Sequence, residues 1–383
     1  MGKLKVMTIF GVRPEAIKMA PLIQELQRRD EHIESKICVT AQHRQMLDQV
    51  LDIFKITPDY DLNIMREKQT LTDTTVRALE GLAGVFGQER PDLVLVHGDT
   101  LTTFVASLAA YYHQIPVGHV EAGLRTWDKY SPFPEELNRQ LTGVIADLHF
   151  APTDWSANNL KLEHKPENRI FITGNTVVDA LKTTYRKDFQ HPILRQAGNG
   201  RMLFVTAHRR ENLGEPMHRM FRAIRRLVDD HPDVFAVYPV HLNPVVQEAA
   251  REILGGHDRI FLIDPVDVIE AHNFIARAYM ILTDSGGIQE EAPAFGKPVL
   301  VLRDTTERPE GLEAGTLKLV GTDKSMIYSE GRRLLTDQTA YEAMSRAANP
   351  YGDGKAAQRI ADAILYHFGI HPRPPAPFKP EAH

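Results

Sequence analysis

Three short segments each place a carboxylate just beyond an apolar, β-rich run or at a helix start: His97-Gly98-Asp99-Thr100, His119-Val120-Glu121-Ala122-Gly123-Leu124-Arg125 and Pro134-Glu135-Glu136. Three acids from three separate loops are suited to general acid and base work, taking a proton from one side of a substrate and returning it on the other. Each also has an ordinary structural use. Asp99 fits a helix N-cap, and Glu135 and Glu136 fit a first helical turn, where acids complement the dipole.

A second set of residues suits an anion. In Gly11-Val12-Arg13-Pro14-Glu15-Ala16-Ile17-Lys18 a glycine turns the chain after a strand and Pro14 opens a helix, bringing Arg13 and Lys18 near a helix N-terminus. In Thr283-Asp284-Ser285-Gly286-Gly287-Ile288-Gln289-Glu290-Glu291 a strand ends, two glycines expose backbone N–H groups and a helix begins. That is a phosphate or diphosphate cradle, with Glu291 about one turn further on to accept from a sugar diol. The loop Arg303-Asp304-Thr305-Thr306-Glu307-Arg308-Pro309-Glu310 adds two guanidiniums matched to phosphate oxygens. Ala207-His208-Arg209-Arg210-Glu211-Asn212 and Pro239-Val240-His241-Leu242-Asn243-Pro244 are rich in donors. No H-E-x-x-H helix and no paired Cys/His spacing occurs, so no metal is expected. Neither G-x-G-x-x-G after the first strand nor G-x-x-x-x-G-K-[ST] is present, which argues against a dinucleotide or a P-loop.

These residues need strands to carry them. Apolar β-rich runs at 6–10, 33–40, 93–97, 117–120 and 148–151 alternate with helical patterns, and the alternation restarts at 202–206, 234–238, 260–263, 279–283 and 299–302. Two open, parallel α/β domains follow, with ligands expected at the carboxyl ends of the strands. The Gly- and Pro-bearing stretch 174–200 holds the boundary, placed at Gly174, so the domains read as 1–173 and 174–366. A last helix at 355–368 precedes a proline-rich tail, with 367–383 returning to the first domain and the tail expected to be extended and mobile.

The chain has 383 residues and a formal charge of −5. That size favours two domains, and the missing basic excess argues against nucleic acid as a partner. The single cysteine, Cys38, is expected as a small buried residue on a strand, and the N-terminus shows no signal-peptide pattern. The stretch 100–118 is uncharged but broken by polar residues and Pro116, so it reads as a buried helix plus a strand rather than a membrane span. A cytoplasmic location is expected.

Together the segments 10–18, 97–100, 119–125, 283–287 and 303–310 closely resemble the bacterial non-hydrolysing UDP-N-acetylglucosamine 2-epimerases, over about 5–368. The resemblance implies two Rossmann-like, doubly wound domains facing across a cleft, the glycosyltransferase-B type, with the last helix crossing back. It implies an isomerase that interconverts UDP-N-acetylglucosamine and UDP-N-acetylmannosamine without a cofactor, by eliminating UDP to 2-acetamidoglucal and adding it back. By the family pattern Asp99, Glu121 and Glu135 are the acid and base groups, with His208 beside the diphosphate. Arg13, Lys18, Ser285, Gly286, Gly287, Glu291 and Arg308 match the positions that hold UDP. The segment 266–274 departs from the pattern near the uracil, so no side chain is carried over there. Gln42, His43, Gln45, Arg209 and His241 match a second, activating nucleotide-sugar site of Gram-positive relatives, and Lys68 stands where those relatives have an arginine. A homodimer and a role in cell-envelope polysaccharide supply are also implied. The rival readings are a glycosyltransferase of the same fold and a non-catalytic nucleotide-sugar sensor.

Overall fold

The protein, seen in a computed structural model, is described over residues 2–42, 44–66 and 69–381, the side chain of Gln45 excepted. It divides into two compact units, Met1–Thr183 with Gly352–Lys379, and Thr184–Tyr351 with the residues from Pro380.

The first unit contains β1 (Leu4–Phe10), β2 (Ile33–Val39), β3 (Tyr60–Asp61), β4 (Leu93–His97), β5 (Val117–Val120), β6 (Leu148–Ala151) and β7 (Ile170–Ile172). They form one sheet in the order β3-β2-β1-β4-β5-β6-β7, all neighbours parallel. β4 is buried along its whole length, as an unbroken apolar run in the middle of a parallel sheet must be. One face is covered by the helices Arg13–Arg28 and Ala356–His367, through residues such as Met19, Leu22, Ile360 and Ile364. The other is covered by Leu71–Glu89 and Leu101–Tyr112, through Leu82, Phe86, Ala106 and Ala110. Strand order reverses between β1 and β4, which opens a crevice at their carboxyl ends.

The second unit repeats this plan with β8 (Arg201–Thr206), β9 (Val234–Pro239), β10 (Ile260–Ile263), β11 (Met280–Thr283), β12 (Val299–Val301) and β13 (Leu317–Leu319), ordered β10-β9-β8-β11-β12-β13. Thr283 pairs in register with Thr206 and Val301, so the segments after β8, β11 and β12 leave the sheet at one edge.

The two-domain parallel α/β architecture is as expected, with two corrections. The chain passes between units at Thr183–Thr184 and returns at Tyr351–Gly352, so neither Gly174 nor residue 366 marks a limit. The physical reason lies in packing. Ala180 of the helix Thr176–Thr184 belongs to the first unit's core, and so does the whole inner face of Ala356–His367. The tail also differs: Phe378 is buried and its N–H donates to Ile172 O at 2.8 Å, fastening the proline-rich segment to the end of β7. β3, β7 and β13, each two or three residues long, are too short to leave a period in the sequence. Cys38 lies buried on β2 as expected, its thiol pushed up to about 12 by burial and then by Asp61 and Asp59.

Candidate active site

In the first unit the site is built around Glu121, directly after β5. His97 pairs with Val120 across the β4–β5 ladder, so Gly98, Asp99 and Glu121 emerge side by side. Glu121 adopts a left-handed backbone, φ 60°, unusual for a residue with a side chain. Its Oε2 accepts from Lys18 Nζ in a buried ion pair and from Asn175 Nδ2 at 2.8 Å, and His97 Nε2 stands 3.6 Å away. Burial, the largest influence, favours the protonated acid, but the Lys18 ammonium and His97 outweigh it and hold the carboxyl well below the usual range.

Asp99 pairs with Arg139, and Asn138 Nδ2 donates to the Asp99 carbonyl at 3.0 Å. Both partners come from the helix Glu135–Ile145, which starts with Glu135 itself, half-buried, its side chain joined to no described residue by a hydrogen bond or ion pair. Glu136 is different. It is fully buried, and its two oxygens accept from Thr126 N at 3.0 Å and Trp127 N at 3.1 Å, pinning the loop that follows β5. Asp99 is not the N-cap of the helix Leu101–Tyr112, since Thr100 Oγ1 does that work, which leaves the Asp99 carboxylate for Arg139 and the solvent side.

Glu15 ties the loops together. Its Oε2 accepts from Gly11 N at 2.7 Å and Val12 N at 3.0 Å, and its Oε1 from Thr100 Oγ1 at 2.5 Å and Thr103 Oγ1 at 3.0 Å. Burial nevertheless raises its pKa above the ordinary value. Arg13 is the first residue of its helix and half-buried. A Cβ on Gly11 would collide with the hydroxyls of Thr40 and Thr102, which is why the chain needs glycine there. The neighbouring His119 is driven down to about 3 by burial; neutral, it donates from Nε2 to Gly98 O at 2.7 Å and steadies the Asp99 loop.

In the second unit Asp284, fully buried, is the organiser. Its Oδ2 accepts from His208 N and Arg209 N, both at 2.9 Å, and from Asn212 Nδ2 at 3.1 Å. His208 stacks on His241 with ring centroids 5.3 Å apart. Burial lowers the His208 pKa against the opposing pull of Asp284. Ser285 occupies the N-cap position of the helix Gly286–Glu291, and the Arg308 guanidinium lies over Gly286, 2.7 Å from where a Cβ would stand. Arg308 donates to Glu290 Oε1 and Glu307 Oε1, both at 2.7 Å, while Arg303 holds the other Glu307 oxygen at 2.9 Å. The loop whose two guanidiniums were matched to phosphate oxygens thus also holds a carboxylate of its own, Glu307, between them. Glu307 is held below the ordinary range by Arg308 and Arg303 in spite of its burial. Glu291 faces His272, with Nε2 to Oε2 at 3.4 Å, and Thr184 Oγ1 fixes the other His272 nitrogen at 2.7 Å.

Of the activating-site set, Gln42 accepts from Thr102 Oγ1 at 3.4 Å, and Arg209 Nε donates to Asp284 O at 3.2 Å. His43, Lys68 and the Gln45 side chain lie outside the described residues. Among those described, no cluster of three His, Cys, Asp or Glu residues could hold a metal, and no helix is long and apolar enough to cross a membrane.

Sequence reading assigned no role to Glu15, Asn175, Arg139, Asp284 or His272. For two of them a signal existed: Glu15 follows the turn by the spacing of a capping box, and Asn175 precedes a helix as an N-cap asparagine does.

Two parallel α/β units of this make, each with its acids, donors and glycines at the carboxyl edge of the sheet, define the glycosyltransferase-B class of enzymes. A family model described as UDP-N-acetylglucosamine 2-epimerase matches residues 24–365. The chain is 63% identical over 378 residues to the UDP-N-acetylglucosamine 2-epimerase of Bacillus subtilis, covering 99% of each chain. It superposes with a TM-score of 0.92 on the S. aureus MnaA structure with UDP, at 53% identity over 98% of this chain and 100% of that one. For the Neisseria meningitidis UDP-GlcNAc 2-epimerase bound to UDP-GlcNAc the TM-score is 0.88, at 48% identity over 95% and 100%. The chain belongs to the UDP-N-acetylglucosamine 2-epimerase family.

Proposed function

We propose that the protein interconverts UDP-N-acetylglucosamine and UDP-N-acetylmannosamine by elimination and re-addition of UDP. C2 of the sugar has no adjacent carbonyl to acidify its hydrogen, so a carboxylate must remove that proton as the leaving group departs. The C2–H bond breaks with its proton passing to the carboxylate, the electron pair forms the C1=C2 double bond, and the C1–O bond breaks to release UDP. Reprotonation at C2 from the opposite face and return of UDP to C1 complete the inversion. The observation that carries this reading is the buried Glu121 carboxylate, held ionised beside the Asp99 loop in a member of this family.

Asp99, Glu121 and Glu135 are the proton-handling groups of the proposal, and His208 is the group beside the diphosphate. Arg13, Ser285, Gly286, Gly287, Glu291 and Arg308 would hold UDP, with backbone N–H groups and the guanidinium stabilising the charge that builds on the departing diphosphate. Gln42, Arg209 and His241 would serve a second nucleotide sugar that activates the enzyme. The protein would work in the cytoplasm as a homodimer and supply N-acetylmannosamine units for envelope polysaccharide.

The test is turnover of UDP-N-acetylglucosamine alone in deuterated buffer with chelator, followed by NMR. Deuterium at C2 of both epimers is expected. Turnover without C2 deuterium, or only with added NAD, would exclude elimination.

A further inference from the structure

We propose that Asn175 and Lys18 are positioning residues for the epimerisation, clamping Oε2 of Glu121 so that Oε1 alone is presented to the reacting sugar. The inference rests on the epimerase reading and goes on to the two oxygens of a single carboxylate.

The asymmetry is in the geometry. Oε2 faces Lys18 Nζ, Asn175 Nδ2 at 2.8 Å and, 3.6 Å away, His97 Nε2. No described donor reaches Oε1. In the loop after β4 a Cβ on Gly98 would stand 3.7 Å from Oε1; with φ 66° that position favours glycine, so no side chain from it covers the oxygen. A carboxylate with one oxygen saturated and the other bare has a defined direction for proton transfer, and orientation of this kind is a large part of a catalytic base's effect.

Three separate elements make the clamp. Lys18 comes from the second turn of the helix Arg13–Arg28, His97 from the end of β4, and Asn175 from the turn after β7, where Gly174 has φ 83°. Asn175 is buried and fully used: Nδ2 holds Glu121, and Oδ1 accepts from Val177 N at 3.0 Å to start the helix Thr176–Thr184. Lys18, by the family pattern a UDP contact, pairs with a carboxylate of its own unit. Lys18 and His97 are the charged and titratable groups that face Glu121, and they oppose the burial that would otherwise protonate it.

The experiment compares the full-length protein with Asn175→Asp, Lys18→Met and Lys18→Arg. Asn175→Asp keeps the oxygen that caps the helix but replaces the N–H donor by a like charge, so the helix start is retained while the clamp is broken, and circular dichroism checks that the variant is folded. Expected in Asn175→Asp and Lys18→Met are a fall in kcat of roughly tenfold or more and an acid limb of the kcat–pH profile moved up by about one pH unit. KM for UDP-N-acetylglucosamine should stay within about twofold, and Lys18→Arg should restore part of kcat. A raised KM with kcat and its acid limb unchanged would overturn the inference and return Lys18 to the diphosphate. A readout independent of turnover separates the two readings: carbon-13 titration of the Glu121 carboxyl, expected to move upward in both clamp variants. If it moves while the unmodified protein shows no epimerisation, the functional reading fails and the clamp stands; if it does not move, the clamp fails.

Discussion

At the scale of single residues the main electrostatic feature is a buried pair, Lys18 and Glu121, each side chain about one-tenth exposed. Removing one partner of such a pair strands the other charge, which costs about 3–5 kcal/mol, more than the pair itself stabilises. Glu121→Gln should therefore lose both activity and stability at pH 7. The double variant Glu121→Gln with Lys18→Met should regain most of the stability and none of the turnover, read by urea unfolding beside the epimerase assay. Loss of turnover without any loss of stability in the single variant would show that the pair is not buried in solution. The sign of the pH effect follows from the depressed Glu121 pKa: its contribution is present above the unfolded carboxyl value and is lost as the pH falls through the folded one. Asp99 is different because Arg139 also lies beside Glu136, 3.4 Å away. Asp99→Asn should keep the fold and lower kcat by roughly 10² or more; a folded variant with near-normal kcat would leave Asp99 an ion-pairing residue only.

At the scale of elements, the last helix is held by a cap from a distant part of the chain. Asp179 accepts from Ala356 N at 3.1 Å and Ala357 N at 2.9 Å, satisfying the orphan donors of Ala356–His367. Burial, only partly offset by these two bonds, raises the Asp179 pKa to about 6. For an acid raised on folding the folded state holds the proton more tightly, so the contribution is fullest below the unfolded value and is lost as pH rises through 6. Asp179→Asn does not titrate. The stability of the unmodified protein relative to that variant should thus be greater at pH 4 than at pH 7, by about 2 kcal/mol. A pH-independent difference would mean that water reaches the cap. The entry to the helix Arg13–Arg28 is equally constrained: Gly11→Ala drives a methyl into the Thr40 and Thr102 hydroxyls and should cost about 1–3 kcal/mol in a denaturant melt.

At the scale of the whole molecule, the helix that carries Glu135 and Arg139 inward shows an apolar stripe outward. Leu137, Leu141 and Val144 are exposed on it, Val144 by 71%, and Tyr111 and Tyr112 are exposed at the end of the helix Leu101–Tyr112, which packs against it. Contiguous apolar surface of this kind is what a second copy would cover. The protein is expected to sediment as a dimer, and Leu137→Glu with Val144→Glu should shift it to monomer; a monomeric unmodified protein would leave the stripe without that occupant.

The sequence by itself determined the class of fold, because β4 and its central neighbours are apolar along their length and alternate with helix-length patterns, a signal that is local. It also placed Asp99 and Glu121 just after strands of the first sheet and His208 just after a strand of the second, and in a parallel sheet that is enough to put each at the carboxyl edge of its own sheet. Only the tertiary structure decided which groups meet. Asn175 reads as a turn residue, yet it lies on Glu121 because β7 and β5 flank β6 in the sheet. Lys18 reads as one of two cations near a helix start suited to an anion, and only the folded structure shows it paired with a carboxylate far along the chain. The crossing between units and the docking of Phe378 were hidden for the same reason. Spacing along a chain encodes the period of an element, whereas ion pairs, distant caps and the attachment of a tail depend on strand order and register, which arise only when separate segments pack.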